Sequence, residues 1–243
     1  MAADQWLPQM PGSGISKASV KGWSICSGGS GQFTPARGGQ FAPAPGGQLP
    51  PAQGGQYRRR LHLDKETLFA LCEDLFRSGK MEEGHIAAAW TWSRRKEFGE
   101  AELDRFERWI DRYVTNWAVC DNFCNKAVGA LFTRFPALLP RTEAWALSPN
   151  RWTRRAAAVS LIAPARKGLF LEESFRVADL LLTDADDLVQ KGYGWLLKEQ
   201  GKKNEAALYA FVEARKDRMP RTALRYAIEK MGAADRAKLM ARG

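Results

Sequence analysis

From Leu61 to the C-terminus, apolar residues recur at helical spacing, and no stretch shows the apolar–polar alternation of a strand. Asp64 is placed to cap a first helix, "KETLFALCEDLFRSG", which Gly79 closes. A second helix is expected through "MEEGHIAAAWTWSRRKEF" to Gly99, and a third through "EAELDRFERWIDRYV". The fourth starts at "NWAVCDNFC", capped by Thr115 or Asn116, and runs to Phe135, where Pro136 stops it. "LPRTEAWAL" gives a fifth. Asn150 caps "RWTRRAAAVSLIA", which ends near Pro164. "EESFRVADLLLT", "ADDLVQKGYGWLLKEQG", "KNEAALYAFVEARK", "PRTALRYAIEKM" and a short tail helix complete the chain.

About ten helices joined by short loops imply antiparallel neighbours, and roughly 35–40 residues per helix pair fits a HEAT-like repeat. The expected fold is therefore all-α, a HEAT-like helical-repeat solenoid with a concave, basic face over residues 61–243. A compact, non-repeating bundle satisfies the same periodicity. Residues 1–60 differ. "SGQFTPAR GGQFAPAP GGQLPPAQ GGQYRRR" repeats a Gly-Gln-apolar unit every eight residues, with too few apolar side chains for a core. That composition predicts a disordered, low-complexity N-terminal tail.

Charge sharpens this division. The chain of 243 residues carries +10 overall, divided as +5 over residues 1–60, −2 over 61–149 and +7 over 150–243. A basic C-terminal segment points to a polyanionic partner, because clustered Lys and Arg release counterions from phosphates. No signal peptide is recognisable, and no apolar run approaches the ~20 residues needed to cross a bilayer, so a cytoplasmic location and no membrane partner are expected.

Cys26, Cys72, Cys120 and Cys124 are too scattered for a disulfide framework, and Cys120 and Cys124 lack further ligands for a metal. They read as small buried hydrophobes. His62 and His85 read as ordinary surface or core histidines. No nucleophile elbow or phosphate-binding Gly loop is present, so the chain calls for neither metal nor cofactor. Three segments do combine aromatic and charged residues. Trp117 and Asp121 share a helix face. Arg151, Arg154 and Arg155 crowd the first turn of another helix. Lys191 and Trp195 are again four apart, with Gly192 and Gly194 between, where alanine would make a more stable helix. Two glycines in one turn predict close approach by another helix or a ligand backbone.

These segments resemble the AlkD-type DNA alkylation-repair glycosylases, a family of HEAT-like repeats. The likeness spans roughly Leu68 to Met231 and is strongest in "TNWAVCDNFC", "WTRRAAAVSLI", "DDLVQKGYGWLLKEQGKKN" and "MPRTALRYAIEKM". It implies a monofunctional DNA glycosylase that hydrolyses the N-glycosidic bond of cationic alkylated purines, such as 7-methylguanine and 3-methyladenine, in duplex DNA. By that resemblance Asp121 is the catalytic carboxylate, Trp117 and Trp195 line the cleft, and Arg155 lies near the lesion's backbone. Arg154, Lys191, Arg221 and Arg225 are candidate DNA contacts. The family's N-terminal helices have no recognisable counterpart before about Leu61. A second reading is a non-catalytic member that binds branched or bent DNA, and a third is a HEAT-like scaffold for an acidic protein.

Overall fold

The computed structural model describes residues 63–241, and the octapeptide tail lies outside them. The described residues form one compact unit. The described residues contain helices and no strand. In chain order these are α1 (Lys65–Arg77), α2 (Met81–Ser93), α3 (Glu102–Tyr113), α4 (Trp117–Phe123), α5 (Gly129–Arg134), α6 (Pro140–Ala146) and α7 (Arg151–Val159). There follow α8 (Ile162–Ala165), α9 (Leu171–Leu180), α10 (Asp187–Gly201), α11 (Glu205–Glu213), α12 (Arg221–Ala227) and α13 (Ala233–Met240).

Local chemistry sets most boundaries. Asp64 accepts from the Thr67 amide at 2.9 Å, and Gly79 leaves α1 with φ +70°. Asn116 caps α4 by accepting from Val119 N at 2.9 Å, so Asn116 and not Thr115 is the cap. Asn150 likewise caps α7 through Trp152 N. Three expected helices are interrupted. The second stops at Ser93 and continues only as a 3₁₀ turn, Arg95–Glu97. The fourth passes through a π-helical turn, Cys124–Val128, before α5. The helix after Asn150 breaks at Ser160. Pro164 has no N–H for the Ser160 carbonyl, and that oxygen turns instead against Gly129, where a Cβ would lie 2.8 Å from it.

The helices alternate between two layers. In one, an arginine on each helix reaches back to a carboxylate on the preceding helix of that layer: Arg105 to Glu66, Arg141 to Glu107, Arg176 to Glu143, and Arg215, just after α11, to Asp179. These pairs span 33 to 39 residues, which is the helix-pair repeat expressed as side-chain chemistry. In the other layer α2, α4, α7, α10 and α12 pack in succession. The core between them is rich in aromatic residues at its N-terminal end. Phe123 of α4 meets Phe76 at 5.1 Å and Phe106 at 5.2 Å, edge to face, and these rings anchor α4 from below.

Candidate active site

With Val119, Cys120 and Phe123 buried, α4 turns Trp117 and Asp121 away from the core. Trp117, at its first position, is 56% exposed. One turn later the Asp121 carboxylate faces α7. Arg155 Nε donates to Asp121 Oδ1 at 2.8 Å and Nη2 donates to Oδ2 at 2.8 Å, a bidentate pair. The remaining guanidinium nitrogen, Nη1, donates to the Leu188 carbonyl on α10. One arginine therefore ties three consecutive helices of the layer together.

Arg155 passes beside Gly192 on its way to Leu188. A Cβ at Gly192 would lie 3.4 Å from Arg155 Cγ and 3.5 Å from Nη1, so the arginine runs across the bare face of α10. Gly194 faces the opposite neighbour, with Tyr226 Cβ at 2.7 Å and the Ala223 carbonyl at 2.8 Å of its hypothetical Cβ. Both glycines face neighbouring elements of the protein itself, and Gly194 is the one whose helix approaches too closely for a Cβ. Burial of Arg155 acts to lower its pKa, but the hydrogen bonds and charge of Asp121 outweigh it and raise the value. The Arg155 side chain is 6% exposed and that of Asp121 16%, so the open end of the pair is its negative end. Two bonds also leave unused lone pairs on the carboxylate.

Beneath this face Cys120 and Cys124 are fully buried, and burial pushes the Cys124 thiol pKa up. Trp195 is partly buried, and its indole N–H donates to Glu199 Oε1 at 3.2 Å. Arg166 stands over the Trp195 ring at 5.7 Å and donates to Glu199 Oε2 at 3.1 Å, while Lys202 donates there at 2.7 Å. Trp195 thus shares α10 with the residues that support Arg155, but its polar contacts run to Glu199 and not to Asp121.

The candidate DNA contacts divide by their partners. Arg154 is committed inside the fold: it donates to Asp184 at 2.6 Å and to the carbonyls of Ser148 and Pro149. Lys191 pairs with Asp187 at 2.5 Å, and that hydrogen bond raises its pKa. Arg221 is exposed and donates Nη1 to the Met240 carbonyl at 2.9 Å. Arg225 is exposed and has no carboxylate partner among the described residues. His85, read from sequence as an ordinary histidine, lies 2.9 Å from Asn122 through Nδ1, on the residue next to Asp121. Nothing in the sequence pairs these two, which are 37 residues apart. His62 lies outside the described residues.

The sequence profile of the family described as "DNA alkylation repair enzyme" matches residues 54–231, nearly three quarters of the chain. The chain belongs to the DNA alkylation repair enzyme family. No curated protein matches the sequence. Among solved structures the fold is similar to a "Predicted DNA alkylation repair enzyme from Enterococcus faecalis", with TM-score 0.63 and 19% identity over 70% of this chain and 78% of that one. Membership places the protein in alkylation repair, with DNA as its partner. Among the described residues, no helix is long and apolar enough to cross a membrane.

Proposed function

We propose that this member of the family is a monofunctional DNA glycosylase that hydrolyses the N-glycosidic bond of cationic N3- or N7-alkylated purines in duplex DNA. The observation that carries the reading is the Asp121–Arg155 pair, whose open end is the carboxylate. An alkylated purine is already positive, so it departs with the bonding electrons as a neutral base and needs no general acid. The sugar left behind gains oxocarbenium character. A fixed carboxylate stabilises that charge without reorganising, and its unused lone pairs can orient the water that adds to C1′ and accept the proton it loses.

Within this reading Arg155 is a positioning residue. Two of its bonds hold the Asp121 carboxylate and the third ties it to the Leu188 carbonyl, which leaves it unavailable as a phosphate clamp. Trp117, exposed one turn away, offers an indole face to the cationic base or sugar, by roughly 0.5–2 kcal/mol. Lys191 supports the monofunctional assignment. Its amine is paired with Asp187 at 2.5 Å, so it is not presented as a free nucleophile for attack on C1′.

The test is release of 7-methylguanine or 3-methyladenine from methylated duplex DNA. Wild-type protein should release base and leave abasic sites without strand cleavage or borohydride-trapped covalent complex. Asp121→Asn should abolish release and keep the fold. If wild type releases nothing above spontaneous loss, the glycosylase reading fails. Salt-sensitive binding to branched DNA, unaffected by Asp121→Asn, would then favour the non-catalytic alternative.

A further inference from the structure

The positive charge of residues 150–243 is concentrated at their end. Residues 215–243 hold nine bases and three acids, a net +6, whereas residues 150–214 hold ten and nine. This end includes α13, which lies beyond the matched segment 54–231. The helix is nonetheless built into the fold. Leu239 is fully buried, and the carbonyls of its last turn accept from two cations, Arg221 to Met240 at 2.9 Å and Lys216 to Lys238 at 3.4 Å.

Between α12 and α13 runs an open groove. Ala233, Ala237 and Met240 supply apolar surface over the buried Ile228, and Arg225 and Arg236 line it from the two helices. Both arginines are exposed, and neither has a carboxylate partner among the described residues, unlike the layer arginines that pair with each preceding helix. Arg236 makes one long contact, 3.4 Å, to the Glu229 carbonyl. The Glu229 carboxylate also lines the groove, but Lys198 at 2.7 Å and Lys230 at 3.1 Å already balance it.

We infer that this groove takes a deoxyribose-phosphate strand between Arg225 and Arg236, so that α13 adds to the DNA-binding surface. Apolar surface between two guanidiniums matches such a strand, whose sugars present C–H faces and whose phosphates accept forked hydrogen bonds. An acidic peptide offers the charge without a regular sugar surface, so the strand is the favoured occupant. The inference rests on the proposed DNA reading and extends it. α13 lengthens the footprint on the duplex and adds affinity without sequence preference.

The experiment measures binding of full-length protein to undamaged duplex DNA across a salt series, for Arg225→Gln, Arg236→Gln and the double variant. Each lost contact should lower the slope of log affinity against log salt by about 0.9 and weaken binding roughly fivefold near 0.15 M salt. Arg225→Lys with Arg236→Lys should keep the slope, since the charge remains. Arg112→Gln, exposed on α3, is the control for net charge and should change nothing. Thermal melting should be unchanged in every variant. An unaltered slope in the double variant overturns the inference, as does an equal loss in Arg112→Gln. Loss of poly-glutamate binding with DNA binding intact also overturns it, in favour of an acidic protein. The readout needs no catalysis. A normal slope change with no base release sinks the glycosylase reading alone, and base release with an unaltered slope sinks this one alone.

Discussion

Asp121 on α4 and Arg155 on α7 meet through two parallel hydrogen bonds of 2.8 Å, and the third arm of the same guanidinium holds the Leu188 carbonyl of α10. The pair is thus both a rung of the helix stack and the proposed reaction centre. Arg155→Ala should leave a carboxylate and a carbonyl without their donors and cost about 3 kcal/mol, measured by urea denaturation. Arg155→Lys keeps the charge but loses the fork. It should lower single-turnover excision by about 10- to 100-fold through misplacement of Asp121, with DNA affinity unchanged. An affinity loss equal to the rate loss would instead make Arg155 a DNA contact.

Trp117 makes the opposite separation. At 56% exposed it contributes little to the core, so Trp117→Ala should shift stability by no more than about 0.5 kcal/mol. If the indole face stabilises the departing cation, excision should fall by roughly 2- to 30-fold, and Trp117→Phe should restore part of it. Single-turnover rates beside thermal melts provide the check. A rate equal to wild type would remove Trp117 from the site.

Helix existence and capping were legible in the sequence because they are local: Asp64, Asn116 and Asn150 act on amides two or three residues away. The interruptions were not. Ser160 breaks where it does because its carbonyl lies against Gly129, 31 positions earlier, and because Pro164 offers it no N–H. The site divided in the same way. Trp117 and Asp121 share a face by helical spacing alone, but adjacent arginines on a helix point about 100° apart and their destinations depend on neighbours. Arg154 meets Asp184, 30 residues on, and Arg155 meets Asp121, 34 residues back. Only stacking of the repeat brings either pair together, so the sequence alone does not show that Arg154 is held by Asp184 and two carbonyls.

Gly192 and Gly194 looked equivalent in sequence, yet alanine should act on them with opposite sign. At Gly194 a Cβ meets the Ala223 carbonyl at 2.8 Å and Tyr226 Cβ at 2.7 Å, both close to the backbone of α12. Gly194→Ala must therefore displace α12, at a cost of about 1–3 kcal/mol. At Gly192 the nearest atom is Arg155 Cγ at 3.4 Å, an ordinary contact. Gly192→Ala should gain up to about 1 kcal/mol from helix propensity and retain excision. Urea midpoints of the two variants, measured side by side, decide the matter. Equal destabilisation would contradict the difference in spacing.

Acid stability should report on Glu199. Burial acts first to raise its pKa, but hydrogen bonds and charges from Lys202 and Arg166 prevail and hold it below the ordinary 4.5. Because the folded value is depressed, the unfolded chain takes up the proton first as pH falls. The stabilisation is then complete above about pH 4.5, the unfolded value, and is lost progressively as pH drops through the lower folded value. Glu199→Gln should remove this component, giving a variant less stable than wild type at pH 7 and less dependent on pH between 5 and 3 in urea titrations, on the order of those pH values. Trp195, whose indole N–H donates to the same carboxylate, supplies an independent readout. Its contribution, taken as the difference between spectra with and without Trp195→Phe, should shift over this acid range and stay flat in the Glu199→Gln background. A parallel pH dependence in both proteins would mean that other carboxylates govern acid unfolding.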